Sequence, residues 1–359
     1  MRRNLSREMP RGSLPRLQLW QRGKFRLGLS RAGVAVLRTE TARGAATRSG
    51  AGLFGARRAG ADASAGAHAR TSSSVPPNPA LLVAGKPAPA FIERAWPDMS
   101  LRATPDELAA QIGDALDEAG GGALPVHVTF GDDLVRYFIV TPPPNGTRFQ
   151  DLRTAAEVRF QMLYGESAAA WQLVADWQAA APFLACAVPQ RLHTALHLAA
   201  RARRNCLVST VPNFVGAWNR WRRRVGGAAW LATLHDGALT LGVVEGPARR
   251  SRLAAVRTLM LPEQAPPLAW LHEQLARTAL LDNVPAPKVL HVHGPCPEIW
   301  QQQAPDAASA GSAARDASGA ANHGEIAVRA CIDGRAVRAA SSDARLSPAA
   351  QLAWDSLAR

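Results

Sequence analysis

From residue 24 onward hydrophobic and polar positions alternate: in KFRLGLSRAGVAVLR, Phe25, Leu27 and Leu29 form one run, Ala32-Gly33 breaks it, and Val34 and Val36 resume it. Period-two alternation on both sides of a glycine turn predicts a hairpin over Lys24–Arg38. A third strand is expected from Ala80–Ala84 or Ala90–Arg94. The period then changes. Thr104-Pro-Asp-Glu forms a capping box ahead of Leu108, Ile112, Ala115 and Leu116, a helical stripe that closes at Gly120, and Leu124–Phe130 follows as a strand. The same order returns downstream. Strands are predicted at Ala228–Leu234 and Ala238–Val244 about His235-Asp236-Gly237, then a strand at Leu253–Leu261, a helix at Leu268–Leu281 and a strand at Lys288–His293. A hairpin passing into a crossover helix, repeated once, predicts an α/β protein of two pseudo-equivalent lobes, each a mixed sheet with helices on its faces.

Between the repeats, Leu134–Val140 reads as a strand stopped by Pro142-Pro143-Pro144, and Gln150–Leu163 as a helix ending near Gly165. Trp171, Leu173, Ala175 and Trp177 alternate as a strand, with Phe183–Val188 as its partner, and helices follow over Arg191–Arg204 and Asn213–Val225. The expected organisation is a first lobe over 24–225 with an inserted subdomain at about 132–188, a second lobe over 226–335, and a C-terminal tail over 336–359. Two low-complexity stretches, Thr41–Pro79 and Gln303–His323, have too little apolar surface to order themselves and read as disordered insertions at 41–79 and 303–323.

The chain has 359 residues, 47% hydrophobic and 19% charged, enough for two domains with a sizeable core. It has no apolar run of the ~18 residues that a spanning helix needs. The first twenty residues lack the apolar block of a secretory signal, so the protein is expected in the cytoplasm. The net charge of +14 invites a nucleic-acid reading, but its distribution narrows that reading. Residues 1–70 carry 15 Lys/Arg against 3 Asp/Glu, leaving 27 against 25 for the rest, so the body is nearly neutral. The basic leader, residues 1–23, is expected to be disordered; compositional bias and contact with anionic lipid or nucleic acid both account for it. Cys186, Cys206, Cys296 and Cys331 form no CxxC pair and are expected to be buried thiols.

The segments LGLSRAGVAVL, VHVTF, VRYFIVTPP, AAEVRF, WQLVADWQ with FLACAVP, and LVSTVPNFVGAWNR follow one another in an order that resembles the PilM family of type IV pilus assembly proteins and its type II secretion counterpart, the GspL cytoplasmic domain. The resemblance covers about Lys24–Arg38 and Leu81–Gly294 and implies an actin-like (ribonuclease H-like) fold. It also implies a nucleotide clasped between the lobes by a first loop of the form LGxDxGSSS, a second glycine loop in the repeat, and a late glycine pair. A carboxylate there holds hydrated magnesium, and glycines let backbone N–H groups approach phosphates. In this chain the first loop is Leu29-Ser30-Arg31-Ala32-Gly33, without the aspartate. The second is Asp236-Gly237, which is also a common hairpin turn signal. At the third position, Gly294 is followed by Pro295, which removes a donor. The expectation is a degenerate nucleotide site of Ser30, Arg31, Gly33, Asp236, Gly237 and Gly294, with no cofactor, or ATP and magnesium if the site survives.

The resemblance further implies a non-catalytic scaffold at the cytoplasmic face of the inner membrane, docking the cytoplasmic tail of an inner-membrane pilus or secretion protein in a groove of the first lobe. Tyr137, Phe138, Phe160 and Tyr164 are the candidates to line that groove, with buried core as the alternative. An active ATPase or small-molecule kinase of the same fold, and a nucleic-acid or membrane-surface binder acting through the leader, are the competing functions. Other chemistry is thinly represented. His272-Glu273 has Ala276 where a zinc-protease helix needs its second histidine. His291, His293 and Cys296 lack a fourth ligand, so no metal is assigned. GxxxxGK[ST], GxGxxG and GxSxG do not occur. In Trp218-Asn-Arg-Trp221-Arg222-Arg223-Arg224, aromatic and basic residues mix, but Phe214, Trp218, Trp221 and Val225 fall at helical spacing and read as a core stripe with solvated arginines. His127, His193 and His197 read as ordinary fold residues.

Overall fold

The central strand of the first lobe, β1 (Lys24–Leu29), is buried on both faces from Phe25 onward, so its alternation separates two covered faces rather than core from solvent. It pairs antiparallel with β2 (Gly33–Thr39), which pairs antiparallel with β3 (Phe91–Ala95). The computed structural model describes residues 23–39, 91–96, 103–225, 228–246, 251–262, 266–301, 326–331 and 346–358. The expected leader up to residue 22, the stretches 41–79 and 303–323, and the alternative third strand Ala80–Ala84 lie outside the described residues.

Helix α1 (Pro105–Glu118) begins at the expected capping box: Glu107 N–H donates to Thr104 Oγ1 at 3.3 Å, and Thr104 N–H donates to Glu107 Oε2 at 2.8 Å. The chain then enters β4 (Pro125–Phe130), parallel to β1. An inserted unit follows, made of β5 (Arg136–Val140), α2 (Phe149–Tyr164), β6 (Trp171–Ala175) and β7 (Phe183–Pro189), with sheet order β5-β7-β6. After α3 (Gln190–Ala202), strand β8 (Cys206–Pro212) completes the first sheet, in the order β3-β2-β1-β4-β8.

Helix α4 (Asn213–Trp221) links the lobes and buries the expected stripe of Phe214, Trp218 and Trp221, with Val225 beyond it, leaving Arg222, Arg223 and Arg224 exposed. The second lobe comprises β9 (Ala229–His235), β10 (Ala238–Glu245), β11 (Arg252–Met260), α5 (Leu268–Leu281), β12 (Val289–His293), α6 (Glu298–Gln301) and β13 (Ala327–Ala330). Its sheet order, β11-β10-β9-β12-β13, repeats the first. In both lobes three antiparallel strands are followed by two parallel ones, and this duplicated mixed sheet is the actin-like arrangement.

The expected C-terminal tail contains a helix, α7 (Pro348–Asp355), which returns to the first lobe. It lies so close to β1 that a Cβ at Gly28 would run into the Ala349 carbonyl, and Ala35, Ala349 and Ala350 form a small buried cluster there. Arg26, buried beneath it, donates to the Ser356 carbonyl and, at 3.1 Å, to Ser356 Oγ. The second lobe keeps a core of its own around Trp230, Leu241, Leu271 and Leu290, and the core of the first lobe extends across the seam. A single buried cluster runs from Phe25 and Ile112 through Phe214 and Trp221 to Leu231 and Val256. Among the described residues no helix is long and apolar enough to cross a membrane. The cysteines differ from the expected set of buried thiols: Cys206 is exposed, at the start of β8. Cys186 is buried, which pushes its thiol up to about 12.

Candidate functional site

Because β1 and β4 are parallel neighbours, with Leu29 opposite Phe130, their C-terminal ends emerge side by side at the seam between the lobes. The Gly131 N–H donates to the Leu29 carbonyl at 2.7 Å, which sets the Asp132–Leu134 turn against the first loop. Ser30 is fully buried there. Its Oγ accepts from the Ala32 N–H at 3.2 Å, and its carbonyl accepts from Trp96 Nε1–H at 3.1 Å. The Arg31 N–H donates to Asp133 Oδ2 at 2.7 Å. The carboxylate missing from the first loop thus has a neighbour in space, supplied by the end of β4.

Asp132 is 1% exposed and its carboxylate accepts four hydrogen bonds: from Tyr137 OH at 2.6 Å, Phe214 N–H at 2.9 Å, Asn213 Nδ2 at 3.3 Å and Thr233 Oγ1 at 2.5 Å. The donors come from β5, from the first turn of α4, and from β9 in the other lobe. A carboxylate facing the N–H groups that open a helix is stabilised by the helix dipole as well as by the bonds themselves. Tyr137 is held well above its ordinary value by burial and by the Asp132 charge. Asp133 is raised by burial, partly offset by the Arg31 N–H bond and by His235, with Asp236 nearby raising it further. His235 is buried at the end of β9, and its Nε2 lies 2.8 Å from the Pro348 carbonyl, which can only accept, so that nitrogen carries the proton.

The structure gathers Ser30, Arg31, Asp236 and Gly237 around this seam and gives each glycine a reason of its own. Asp236 and Gly237 have φ of 48° and 68°, the left-handed pair of a two-residue hairpin turn, and a Cβ at Gly237 would meet open space. A Cβ at Gly33 would run into the Arg94 carbonyl of β3, and one at Gly294 into the Leu234 carbonyl. Close packing of strands therefore accounts for Gly33 and Gly294, and the left-handed turn for Gly237. Asp132 and Asp133, the residues that knit the seam, were visible in the sequence only as an acidic pair after a strand. Nothing in their spacing marks them as a neighbour of Ser30.

The aromatic set expected either to line a partner groove or to be buried core is mostly packed inside. Tyr137, Phe138 and Phe160 are buried, and only Tyr164 is partly exposed. Phe138 and Phe160 stack at 5.8 Å in the core of the inserted unit, Tyr137 faces Phe214, and Tyr164 OH donates to the Tyr137 carbonyl at 2.8 Å. The small sheet is covered on both faces: Phe138 and Phe160 pack beneath α2, while Tyr137, its neighbour on β5, joins the core of the first lobe. Tyr137, Phe138 and Tyr164 also border a cavity of about 430 Å³ between the inserted unit and β11. A cavity of about 1060 Å³ opens between the inserted unit and the starts of α1 and α3, lined by Arg31, Arg136, Glu166, Ala170, Trp171 and Thr194 among others. Among the described residues no three His, Cys, Asp or Glu side chains gather as a metal site.

No protein-family model matches the chain, and no curated protein matches it. Solved structures do. The chain is similar to the PilM–PilN type IV pilus biogenesis complex at 13% identity and a TM-score of 0.39, covering 71% of this chain and 65% of that one, less than two thirds of its length. It is similar to the cytoplasmic domain of EpsL, an inner-membrane component of the type II secretion system of Vibrio cholerae, at 9% identity and a TM-score of 0.39, covering 77% of this chain and 83% of that one. A Bacteroides thetaiotaomicron protein with an actin-like ATPase fold and unknown function matches at 10% identity and a TM-score of 0.43, covering 77% and 83%.

Proposed function

We propose that this chain is a non-catalytic cytoplasmic scaffold of a type IV pilus or type II secretion platform, which docks the cytoplasmic segment of an inner-membrane partner in the groove between the first lobe and its inserted unit. The observation that carries this reading is the occupation of Asp132. A nucleotide-dependent relative of this fold needs a seam carboxylate free to hold hydrated magnesium and lobes free to part around the phosphates. Asp132 spends its acceptors on four donors, one of them Thr233 in the other lobe. Parting the lobes would strand a buried carboxylate, and a hydrogen bond to a charged group contributes about 1.5–3 kcal/mol. The continuous core through Phe214 adds to that cost, since the ring packs where a Cβ on Gly242 would sit. The kind of partner comes from the sequence resemblance, and the groove supplies a place for it.

Two measurements test the reading. Calorimetry is expected to detect no micromolar, magnesium-dependent ATP binding; such binding, lost in Asp236→Ala, would promote the ATPase or kinase function. In the second, the chain is expected to co-purify with the cytoplasmic segment of an inner-membrane platform protein, and Ala170→Trp, on an exposed groove position, is expected to abolish this without lowering the melting temperature. Capture unaffected by Ala170→Trp would remove the groove from the proposal.

A further inference from the structure

We infer that the groove is built for an acidic segment: an extended stretch carrying carboxylates, with small apolar side chains between them. This rests on the docking reading above and adds the chemistry of the occupant. Three guanidinium groups line the cavity, Arg31, Arg136 and Arg191, against two carboxyl groups, Asp133 and Glu166. One oxygen of each carboxyl group already has a partner. Asp133 Oδ2 accepts from the Arg31 N–H at 2.7 Å. Glu166 Oε2 accepts from Trp171 Nε1–H at 2.8 Å.

Arg31 and Arg136 are held differently. Arg136 sits over the rings of Tyr164 and Trp171, 5.6 and 5.8 Å from their centroids, and its buried Nε has no hydrogen-bond partner. Aromatic faces fix a guanidinium by its plane and leave its N–H edge for an acceptor. Arg31 is exposed at the mouth, its guanidinium touching the main-chain oxygen of Asp133 at 3.5 Å. Helix α3 adds to the same sign of field, because it starts at Pro189 without a side-chain cap, has no acidic residue in its first turn, and opens on the cavity through Gln190 and Arg191. Between these groups the wall is apolar, with Leu134, Ala169, Ala170 and Trp171. Planar guanidinium edges over an apolar floor match carboxylates spaced along an extended backbone.

The experiment uses the full chain and two labelled eight-residue probes, one of alternating Glu and Ala and one of alternating Lys and Ala, read by fluorescence anisotropy near physiological salt. The acidic probe is expected to bind at least about tenfold more tightly than the basic one. Arg31→Glu, a charge reversal on an exposed side chain, and Arg136→Gln are each expected to weaken it by about tenfold or more, with hydrogen exchange slowed at 166–172 and 189–194 in the parent complex. An affinity unchanged in both variants would overturn the inference and assign the probe to the basic residues of 1–70; preference for the basic probe would overturn it as well. The two proposals fail separately. If the platform partner is lost in Ala170→Trp yet retained in both arginine variants, the groove stands and its acidic occupant falls.

Discussion

Asp132 and Asp133 are adjacent in the chain, yet they carry opposite consequences for stability. Asp132 has a donor at every turn, so Asp132→Ala leaves Tyr137 OH, Thr233 Oγ1, Asn213 Nδ2 and the Phe214 N–H without their acceptor. The expected loss is about 3–5 kcal/mol, the range for breaking a buried charged network, read as a lower urea midpoint. Asp133 is buried with Oδ1 unpartnered, and its pKa lies above the ordinary 3.8. A carboxyl group raised by folding binds more protons in the native state than in the unfolded one. Its contribution is therefore full below the ordinary value and is lost as pH climbs toward the raised one. Asp133→Asn, which keeps an acceptor for the Arg31 N–H, is expected to gain stability relative to the parent as pH rises above the ordinary 3.8 in urea titrations, and a parallel pH dependence in the two proteins would count against this. The sequence shows both aspartates plainly. Which one is satisfied depends on where β9 and α4 arrive, and no local pattern encodes that.

At the scale of elements, the devices legible in the chain are the local ones. The capping box at Thr104, the C-terminal glycine of α2 at Gly165 with φ 66°, and the Asp236-Gly237 turn all depend on residues within a few positions of each other. The strands β8 and β13 and the helix α7 were not predicted as elements. Each closes the edge or covers the face of a sheet assembled from distant residues, and their own periodicity is short. Helix α7 shows what such an element depends on: with Ala349 and Ala350 against Ala35 and the carbonyl of Ala349 over Gly28, its seat is defined by missing side chains. Gly28→Ala is expected to push the helix off β1 and cost about 1–3 kcal/mol, the range for overpacking, measured by urea unfolding. Weakened burial of Arg26 under Ser356 would accompany it.

For the whole molecule, charge and core are separable. The +12 carried by residues 1–70 against +2 for the remainder predicts that a version lacking residues 1–20 and 41–79 stays folded and loses most nonspecific polyanion binding. Salt-sensitive DNA binding that persists in it would place the basic surface in the body. The repeat of hairpin, strand, helix and strand was readable because each unit declares its period locally, and two copies in the same order leave few ways to build the sheets. Groove and core were not separable for Tyr137, Phe138, Phe160 and Tyr164 for a related reason: aromatic residues in a strand and helix report that a face is buried, but not whether protein or a partner buries it. Sequence alone determined the duplicated mixed-sheet architecture and the departures from a nucleotide loop. Tertiary structure alone decided that Asp132 joins the lobes, that close packing explains Gly33 and Gly294, and that Arg31 and Arg136 share a cavity. Periodicity is a property of neighbours along the chain, whereas hydrogen-bond satisfaction and charge balance depend on groups brought together from a hundred residues apart.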